Sequence, residues 1–416
     1  MGFSRDLGDG LVLRSVRDEA DIARYVEVNN LVGGPGEARA GERLIRHHPQ
    51  ARRDDFWMVE DTRTGQAVST TCLIPWSCYY EDIPIQVAML EMVVTHPDYR
   101  RLGLVRAQIQ RFHEVAAERG FDLCIIQGIP HYYRQFGYTY ALDHYGCDSL
   151  PVRFVPQLSA EGQSGGYRLR PATAEDIPAL ARLYGMEAAR LQLGVRRDAA
   201  YWRYLMEHVG HTVRLLEQSE DGHPAGYTAG SGKRPNTEVQ ESAVESYPAA
   251  LALLQALRSE TEGELVIGWP ETGTLLQVAR SLGSKRLTPY QWLIRVPDMA
   301  RWLTTIGPLL ERRLANSACR GLTDELILNL YRQAYALCFQ QGRLSQVRAL
   351  GFVDASMRAD GGDLCMPLDA FVRLVLGYRD LDTLRDAWPD IVCKPARRYL
   401  FDVLFPRMTS YVHMPY

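Results

Sequence analysis

The stretch Arg100-Arg101-Leu102-Gly103-Leu104-Val105 decides how this chain of 416 residues is interpreted. It follows the apolar run of residues 87–94, which predicts a strand, and opens the amphipathic pattern of residues 105–112, which predicts a helix. The first turn of such a helix offers unpaired backbone N–H groups and a partial positive charge. Gly103 lets a ligand approach the backbone closely, and the two arginines attract a diphosphate. We therefore predict a pyrophosphate-binding loop.

Two common phosphate-binding motifs do not occur in the sequence, namely G-x-x-x-x-G-K-[ST] and a G-x-G-x-x-G that follows a strand. The phrase V-V-T-H-P-D-Y-R-R-L-G at residues 93–103 instead resembles the V-x-x-x-P-x-Y-R-x-x-G signature of the GCN5-related N-acetyltransferases (GNATs). The resemblance implies that acetyl-coenzyme A (acetyl-CoA) is the co-substrate. The implied coenzyme contacts are Val93, Val94, Thr95, Arg100, Arg101, Leu102, Gly103, Leu104 and Val105. A basic, solvated turn is the structural alternative.

A second motif follows at residues 131–138, after a predicted strand at residues 121–126 and a Gly-Ile-Pro break. Its letters H-Y-Y-R-Q-F-G-Y resemble the Y-x-x-x-G-[FY] segment of GNATs. The resemblance implies that Tyr133 protonates the thiolate that leaves the acetyl group. A phenol suits this task because it is a neutral proton donor at pH 7. The structural alternative is an aromatic side chain packed in the core.

The length of 416 residues predicts two to four domains. The composition is that of a globular protein, because 46% of the residues are hydrophobic and 23% are charged. The net charge of −3 argues against a general nucleic-acid binder. No apolar stretch is long enough to predict a membrane span. The eight cysteines are dispersed and form no C-x-x-C, which predicts reduced thiols, no metal site and a cytoplasmic location.

The chain also repeats itself. Residues 11–22 and 167–177 share a strand followed by an acidic helix start, in which Arg14 matches Arg170. A polar, glycine-rich stretch separates the copies. We predict a catalytic domain at 1–155, a linker at 156–166, a degenerate GNAT domain at 167–298 and a C-terminal domain at 299–416. The degenerate copy has no Arg-x-x-Gly-x-Gly/Ala after a strand, and at residues 230–235, where we expect its counterpart, Pro235 would interrupt the helix that must follow.

The C-terminal residues complete the pattern of the enhanced intracellular survival (Eis)-like GNATs. We expect helices at residues 309–314 and 326–331, a strand or a helix at 346–350, and a strand followed by a helix at 362–378. The phrases L-V-L-G-Y-R-D-L-D-T-L (374–384) and L-F-P (404–406) resemble the third domain of that subgroup. The resemblance implies an α/β (α+β) fold in which tandem GNAT domains, each a mixed sheet flanked by helices, precede a sterol-carrier-protein-like α+β domain. It also implies a closed homo-oligomer, often a hexamer.

The resemblance implies direct transfer of an acetyl group to a primary amine, which attacks the thioester carbonyl held by the backbone of residues 93–95. In Eis-like enzymes the terminal carboxylate is the base, here that of Tyr416, whereas Glu91 on the predicted strand is the rival base. The acceptor stays open among aminoglycosides, polyamines, small metabolites and lysine amines. Candidate acceptor contacts are Tyr25, Glu27, Glu37, Trp57 and Trp76. A CoA-binding regulator and a lipid-binding scaffold without turnover are the functional alternatives.

Overall fold

The computed structural model describes residues 2–144, 146–157, 166–210, 212–233, 235–355 and 361–413. Most of the predicted linker (residues 158–165) and Tyr416 lie outside these ranges. The described residues form three β-sheets with helices packed against them. This arrangement confirms the predicted mixed α/β fold.

The elements of the first part of the chain are β1 Ser4–Gly8, β2 Leu11–Ser15, α1 Glu19–Gly33, α2 Pro35–His47, β3 Phe56–Asp61, β4 Gln66–Tyr80, β5 Ile83–Thr95, α3 Leu104–Glu118, β6 Leu123–Ile126, β7 Thr139–His144 and β8 Cys147–Pro151. Those of the middle part are β9 Tyr167–Pro171, α4 Ile177–Ala188, β10 Leu193–Val195, α5 Ala199–Glu207, β11 Thr212–Gln218, β12 Pro224–Lys233, β13 Asn236–Val244, α6 Tyr247–Arg258, β14 Glu264–Gly268, α7 Thr274–Ser281, β15 Lys285–Arg286 and β16 Tyr290–Arg295. Those of the last part are α8 Met299–Thr305, α9 Gly307–Ala315, β17 Asp324–Asn329, β18 Ala334–Gln340, β19 Arg343–Gly351, β20 Leu364–Cys365, α10 Leu368–Val375, α11 Leu381–Ala387, β21 Val392–Cys393 and α12 Arg398–Leu404.

The first two sheets exchange strands. The first sheet has the order β1-β2-β3-β4-β5-β6-β16-β7, with β10 paired to β4, and the second has the order β15-β8-β14-β13-β12-β11-β9. Strand β8 therefore belongs to the second sheet although it precedes the predicted linker, and β16 belongs to the first sheet although it lies far downstream. Sheet membership does not follow the predicted domain boundaries at these two strands, and the division into domains stays a prediction.

The matching arginines of the two copies sit in matching ion networks. Arg14 binds both carboxylate oxygens of Asp21 at 2.6 and 2.8 Å and binds Glu60 at 2.5 Å. The equivalent network joins Arg170 to Asp176, with both distances at 2.8 Å, and to Glu217 at 2.7 Å. In each copy the network ties a strand to the start of the next helix and to a neighbouring strand. This shared network supports the predicted repeat.

The third sheet has the order β19-β18-β17-β20-β21. The helix expected at residues 326–331 is wrong, because these residues lie in and just after β17. Leu326, Leu328 and Leu330 are all buried, which is the two-residue period of a strand and not the period of a helix. Residues 346–350 are part of strand β19. The resemblance of residues 299–416 to sterol carrier proteins stays a prediction.

Candidate active site

A bulge in β5 opens the first sheet. Strands β5 and β6 pair in parallel from Val87 to Met89 and not beyond, while β5 continues to Thr95. The pairing of β4 with β5 shifts register between Thr70 and Cys72, and Met92 has a φ of 54°, a conformation that side chains rarely adopt. Such a bulge bends a strand and changes the direction in which its backbone groups point. The predicted thioester contacts, residues 93–95, lie in this half-buried segment.

Side-chain hydroxyls of β4 hold the bulged segment. Three consecutive residues donate to its backbone carbonyls: Ser69 to Val94 at 2.7 Å, Thr70 to Met92 at 3.0 Å and Thr71 to Glu91 at 3.2 Å. The amide of Asn29 donates in turn to the Thr70 hydroxyl at 3.1 Å. All four donors are completely buried. Because a strained residue costs roughly 1–3 kcal/mol, these buried bonds explain how the bulge persists.

Substitution of Thr70 by valine tests this role. The variant keeps the shape of the side chain but removes the bond to the Met92 carbonyl, so we expect a loss of about 1–3 kcal/mol in the free energy of unfolding. We also expect about tenfold weaker binding of acetyl-CoA, measured by isothermal titration calorimetry. Thr70→Ser keeps the hydroxyl and is the matched control. A loss in Thr70→Ser without a loss in Thr70→Val would show that packing of the methyl group matters and the hydrogen bond does not.

The predicted pyrophosphate loop joins β5 to α3. A 3-10 turn at Pro97–Tyr99 leads into two left-handed residues, Arg101 with a φ of 65° and Gly103 with a φ of 77°. Gly103 is the N-cap of α3 and supplies no side-chain cap. The loop from Arg100 to Gly103 is exposed, whereas Leu104 is buried in the core beneath it. The first turn of α3 can therefore receive an anion, and its contacts with a coenzyme stay a prediction.

In the second sheet, the corresponding junction between a strand and a helix has a different structure. Strand β13 is followed directly by α6, and the Ser246 hydroxyl accepts a hydrogen bond from Ala249 N at 3.3 Å. The counterpart of the loop therefore lies at residues 245–246. The position expected for it, residues 230–235, was wrong because it falls largely in β12 and the turn after it. In the described part of this junction no basic glycine loop precedes α6, and its first turn is capped by the chain itself.

Tyr133 lies in the 3-10 turn Tyr132–Phe136 and is 5% exposed. Its ring packs on Gly128, where a Cβ atom would lie 2.5 Å from a ring carbon, so only glycine leaves room for it. Burial raises the pKa of Tyr133 well above its usual value, and the negative charge of Glu91 raises it further. The phenol therefore keeps its proton at neutral pH, as a proton donor must.

Glu91 lies half-buried on the bulged strand and is an electrostatic neighbour of Tyr133. Tyr416, the other predicted base, lies outside the described residues. The chain before it follows β10: Gln192 N donates to Thr409 O at 2.8 Å, and Tyr411 N donates to Leu193 O at 3.0 Å. Because β10 runs antiparallel to β4, this path leads toward the end of β4 that faces the bulge.

The predicted acceptor contacts separate into two groups. Tyr25, Trp57 and Trp76 are at most 1% exposed and pack in the core, which corrects the expectation that they line an open pocket. Glu27 and Glu37 are exposed on α1 and α2. Sequence reasoning missed the hydroxyl cluster, although the polar run S-T-T at residues 69–71 inside an apolar strand was its visible signal.

No helix among the described residues has both the length and the apolar character that a bilayer crossing requires. Within the same residues, no group of three or more His, Cys, Asp or Glu side chains is arranged to bind a metal ion.

Residues 17–141 match the family model described as "Acetyltransferase (GNAT) domain", whereas no curated protein matches the sequence. The fold is shared with a probable N-acyltransferase from Enterococcus faecalis V583 (TM-score 0.72, 12% identity, 100% of both chains). It is also shared with Eis1 from Mycobacterium abscessus (TM-score 0.64, 16% identity, 98% of this chain and 100% of that one). Yeast N-myristoyltransferase with bound myristoyl-CoA is similar over 70% of this chain and 84% of its own (TM-score 0.50, 11% identity). Residues 17–141 therefore match the acetyltransferase domain of the GNAT family, and this match supports an acyltransferase activity.

Proposed function

We propose that this domain transfers the acetyl group of acetyl-CoA directly to a primary amine. The observation that carries the proposal is the buried, protonated Tyr133 beside Glu91, where β5 bulges away from β6. The exposed first turn of α3 follows on the same strand and offers its N–H groups to the pyrophosphate. One continuous segment, β5 through α3, thus supplies a thioester site and a phosphate site in the order that the co-substrate requires.

In the proposed reaction the amine nitrogen forms a bond to the acetyl carbon while the bond from that carbon to sulfur breaks. Tyr133 gives its proton to the departing thiolate. A primary ammonium has a pKa near ~10 and must first lose a proton. The base is either the Glu91 carboxylate or the terminal carboxylate of Tyr416. Because both reactants are held together, proximity supplies much of the rate and no covalent enzyme intermediate is needed.

We extend the proposal to the Eis-like subgroup, with a degenerate GNAT domain, a sterol-carrier-protein-like domain and a homo-oligomeric assembly in the cytoplasm. The supporting observations are the repeated arginine network and the coverage of nearly the whole chain by the fold of Eis1. The capped start of α6 agrees with a second domain that binds no coenzyme.

The test of the function is thiol release from acetyl-CoA against polyamines, aminoglycosides, amino acids and lysine peptides. We expect turnover with at least one amine and acetylation of its nitrogen, detected by mass spectrometry. Tight binding of acetyl-CoA without turnover on any amine would favour a CoA-binding regulator. Absence of acetyl-CoA binding would overturn the proposal.

Two variants decide between the bases. Glu91→Gln removes one carboxylate, and a glycine added after Tyr416 moves the other by one residue, about 3.5 Å. We expect one of the two variants to lose at least tenfold in kcat and to lose the acidic limb of the pH–rate profile. The other variant is the control and should keep both. If both variants retained the wild-type profile, neither carboxylate would be the base.

A further inference from the structure

The inner face of α3 carries a polar residue in an otherwise apolar row. Positions four residues apart lie on the same face of a helix, and here they are Leu104, Gln108, Phe112 and Ala116. All four are at most 3% exposed. Helix α3 contacts both β4 and β5, the two strands that flank the bulge. The amide of Gln108 therefore lies buried in the contact between the helix and the sheet.

The Gln108 amide joins α3 to the far end of the bulged segment. Its Oε1 atom lies 2.9 Å from Ser69 Oγ. The same hydroxyl donates to the Val94 carbonyl at 2.7 Å and lies 2.8 Å from the hydroxyl of Thr95. One buried hydroxyl thus connects α3 with two of the three residues whose backbone we predict to hold the thioester.

Packing alone does not explain an amide at this position. Among the described residues, none provides a hydrogen-bond partner for Gln108 Nε2, although this atom is buried. An unpaired, buried N–H group costs free energy, and methionine would fill nearly the same volume without that cost. An apolar residue would therefore be favoured if the position served the core alone. What the amide contributes in return is its contact with Ser69.

The helix and the strand segment hold two halves of one ligand. In the proposed function the first turn of α3 binds the pyrophosphate and residues 93–95 hold the thioester. Gln108 lies five residues beyond the N-cap Gly103, which is about 7.5 Å along the helix axis. Acetyl-CoA gains affinity from both halves only if their separation matches the length of its pantetheine arm. A contact that locks the helix to the strand fixes this separation.

We propose that Gln108 is a positioning residue that sets the distance between the pyrophosphate site and the thioester site. This role rests on the proposed function. The amide holds α3 against Ser69, and Ser69 holds the backbone of the bulged segment. Without the amide each half of the site keeps its own groups, but α3 is free to shift along the sheet. The affinity that a ligand gains by reaching both halves is then reduced.

The experiment compares the whole co-substrate with its two halves. S-acetylpantetheine carries the thioester without a phosphate, and ADP carries a diphosphate without the pantetheine arm. Dissociation constants are measured on the full chain by calorimetry, directly for acetyl-CoA and by competition for the two fragments. For Gln108→Met we expect about tenfold weaker binding of acetyl-CoA and less than about a twofold change for either fragment. A merely structural role would not separate the three ligands in this way.

Two further variants test whether the effect passes through Ser69. Gln110→Met changes an exposed glutamine on the same helix and should leave all three dissociation constants unchanged. Ser69→Ala removes the other half of the contact and should weaken acetyl-CoA binding at least as much as Gln108→Met. The double variant should bind acetyl-CoA no more weakly than Ser69→Ala alone, because the two residues act through one contact.

Three results would overturn the proposal. The first is an acetyl-CoA affinity of Gln108→Met equal to that of the wild type. The second is an equal loss for acetyl-CoA and both fragments, which would show damage to the whole site. The third is a double variant whose losses add. Because the readout is binding, absence of turnover would contradict acetyl transfer and leave this test intact, whereas a wild type that binds no acetyl-CoA would overturn both.

Discussion

Replacement of Tyr133 by phenylalanine is expected to lower kcat by about 10²- to 10⁴-fold, the usual contribution of a general acid. The ring and its packing on Gly128 are retained, so the protein should remain folded and should bind acetyl-CoA with an unchanged Kd. The loss arises because the thiolate must then leave without a proton. The measurement is steady-state thiol release with the best amine of the panel, together with calorimetric titration of acetyl-CoA.

Tyr132→Phe is the matched control, because Tyr132 is the adjacent, half-exposed tyrosine. Its ring centroid lies 5.1 Å from that of Tyr133. It should retain nearly all of the activity. The raised pKa of Tyr133 adds a second expectation, which is that its deprotonation causes no loss of rate up to about pH 9. Equal losses in the two variants would remove Tyr133 from its role as the acid.

Replacement of Arg14 by methionine is expected to destabilise the first sheet by roughly 3 kcal/mol, the lower end of the cost of breaking a buried ion pair. The guanidinium is 7% exposed and neutralises Asp21 and Glu60, which would be left buried without it. Arg24 keeps a bond to each carboxylate and limits the loss. The measurement is urea unfolding, with hydrogen exchange of β2 and β3 to localise the change. Arg170→Met is the control, because its guanidinium is 31% exposed and should cost about 1 kcal/mol or less.

The same network gives a pH dependence. Hydrogen bonds from Arg14, the Arg17 backbone and Arg24 outweigh burial and lower the pKa of Asp21 to about 2. A carboxylate with a lowered pKa stabilises the fold fully above its unfolded pKa near ~3.9, and this contribution is lost as the pH falls toward 2. Wild type should therefore lose stability between about pH 5 and pH 2, and Arg14→Met should show a shallower loss. Equal slopes would show that Asp21 does not contribute to acid unfolding.

The local secondary structure around the two motifs can be predicted from the sequence. The strand, loop and helix around Gly103 depend on neighbouring residues, and so does the turn that carries Tyr133, so both appear where the motifs indicated. The repeat was readable because Arg14 and Arg170 each need acidic partners nearby in the chain.

The pairing of strands that are far apart in the chain could not be predicted from the sequence. No local pattern shows that β16 pairs with β6 and β7, because that choice depends on partners more than a hundred residues away. The sequence of β17 predicts a helix because a short apolar run fits the period of a helix or of a strand, and only its pairing partners decide between them. Trp57 and Trp76 are candidates for the acceptor pocket in the sequence because the identity of an aromatic residue does not show whether it lies in the core or lines a pocket.

The exchanged strands also set the order in which the enzyme can be completed during synthesis. Strand β16 stands between β6 and β7, on either side of the segment that carries Tyr133. The ribosome must add about 150 residues after β7 before β16 exists, which takes roughly 8–30 s at the usual rates of translation. Until then β6 and β7 present open edges, and the turn between them has no strand to close it. A translation product that stops before β16 therefore carries both predicted motifs but lacks the strand that joins β6 to β7.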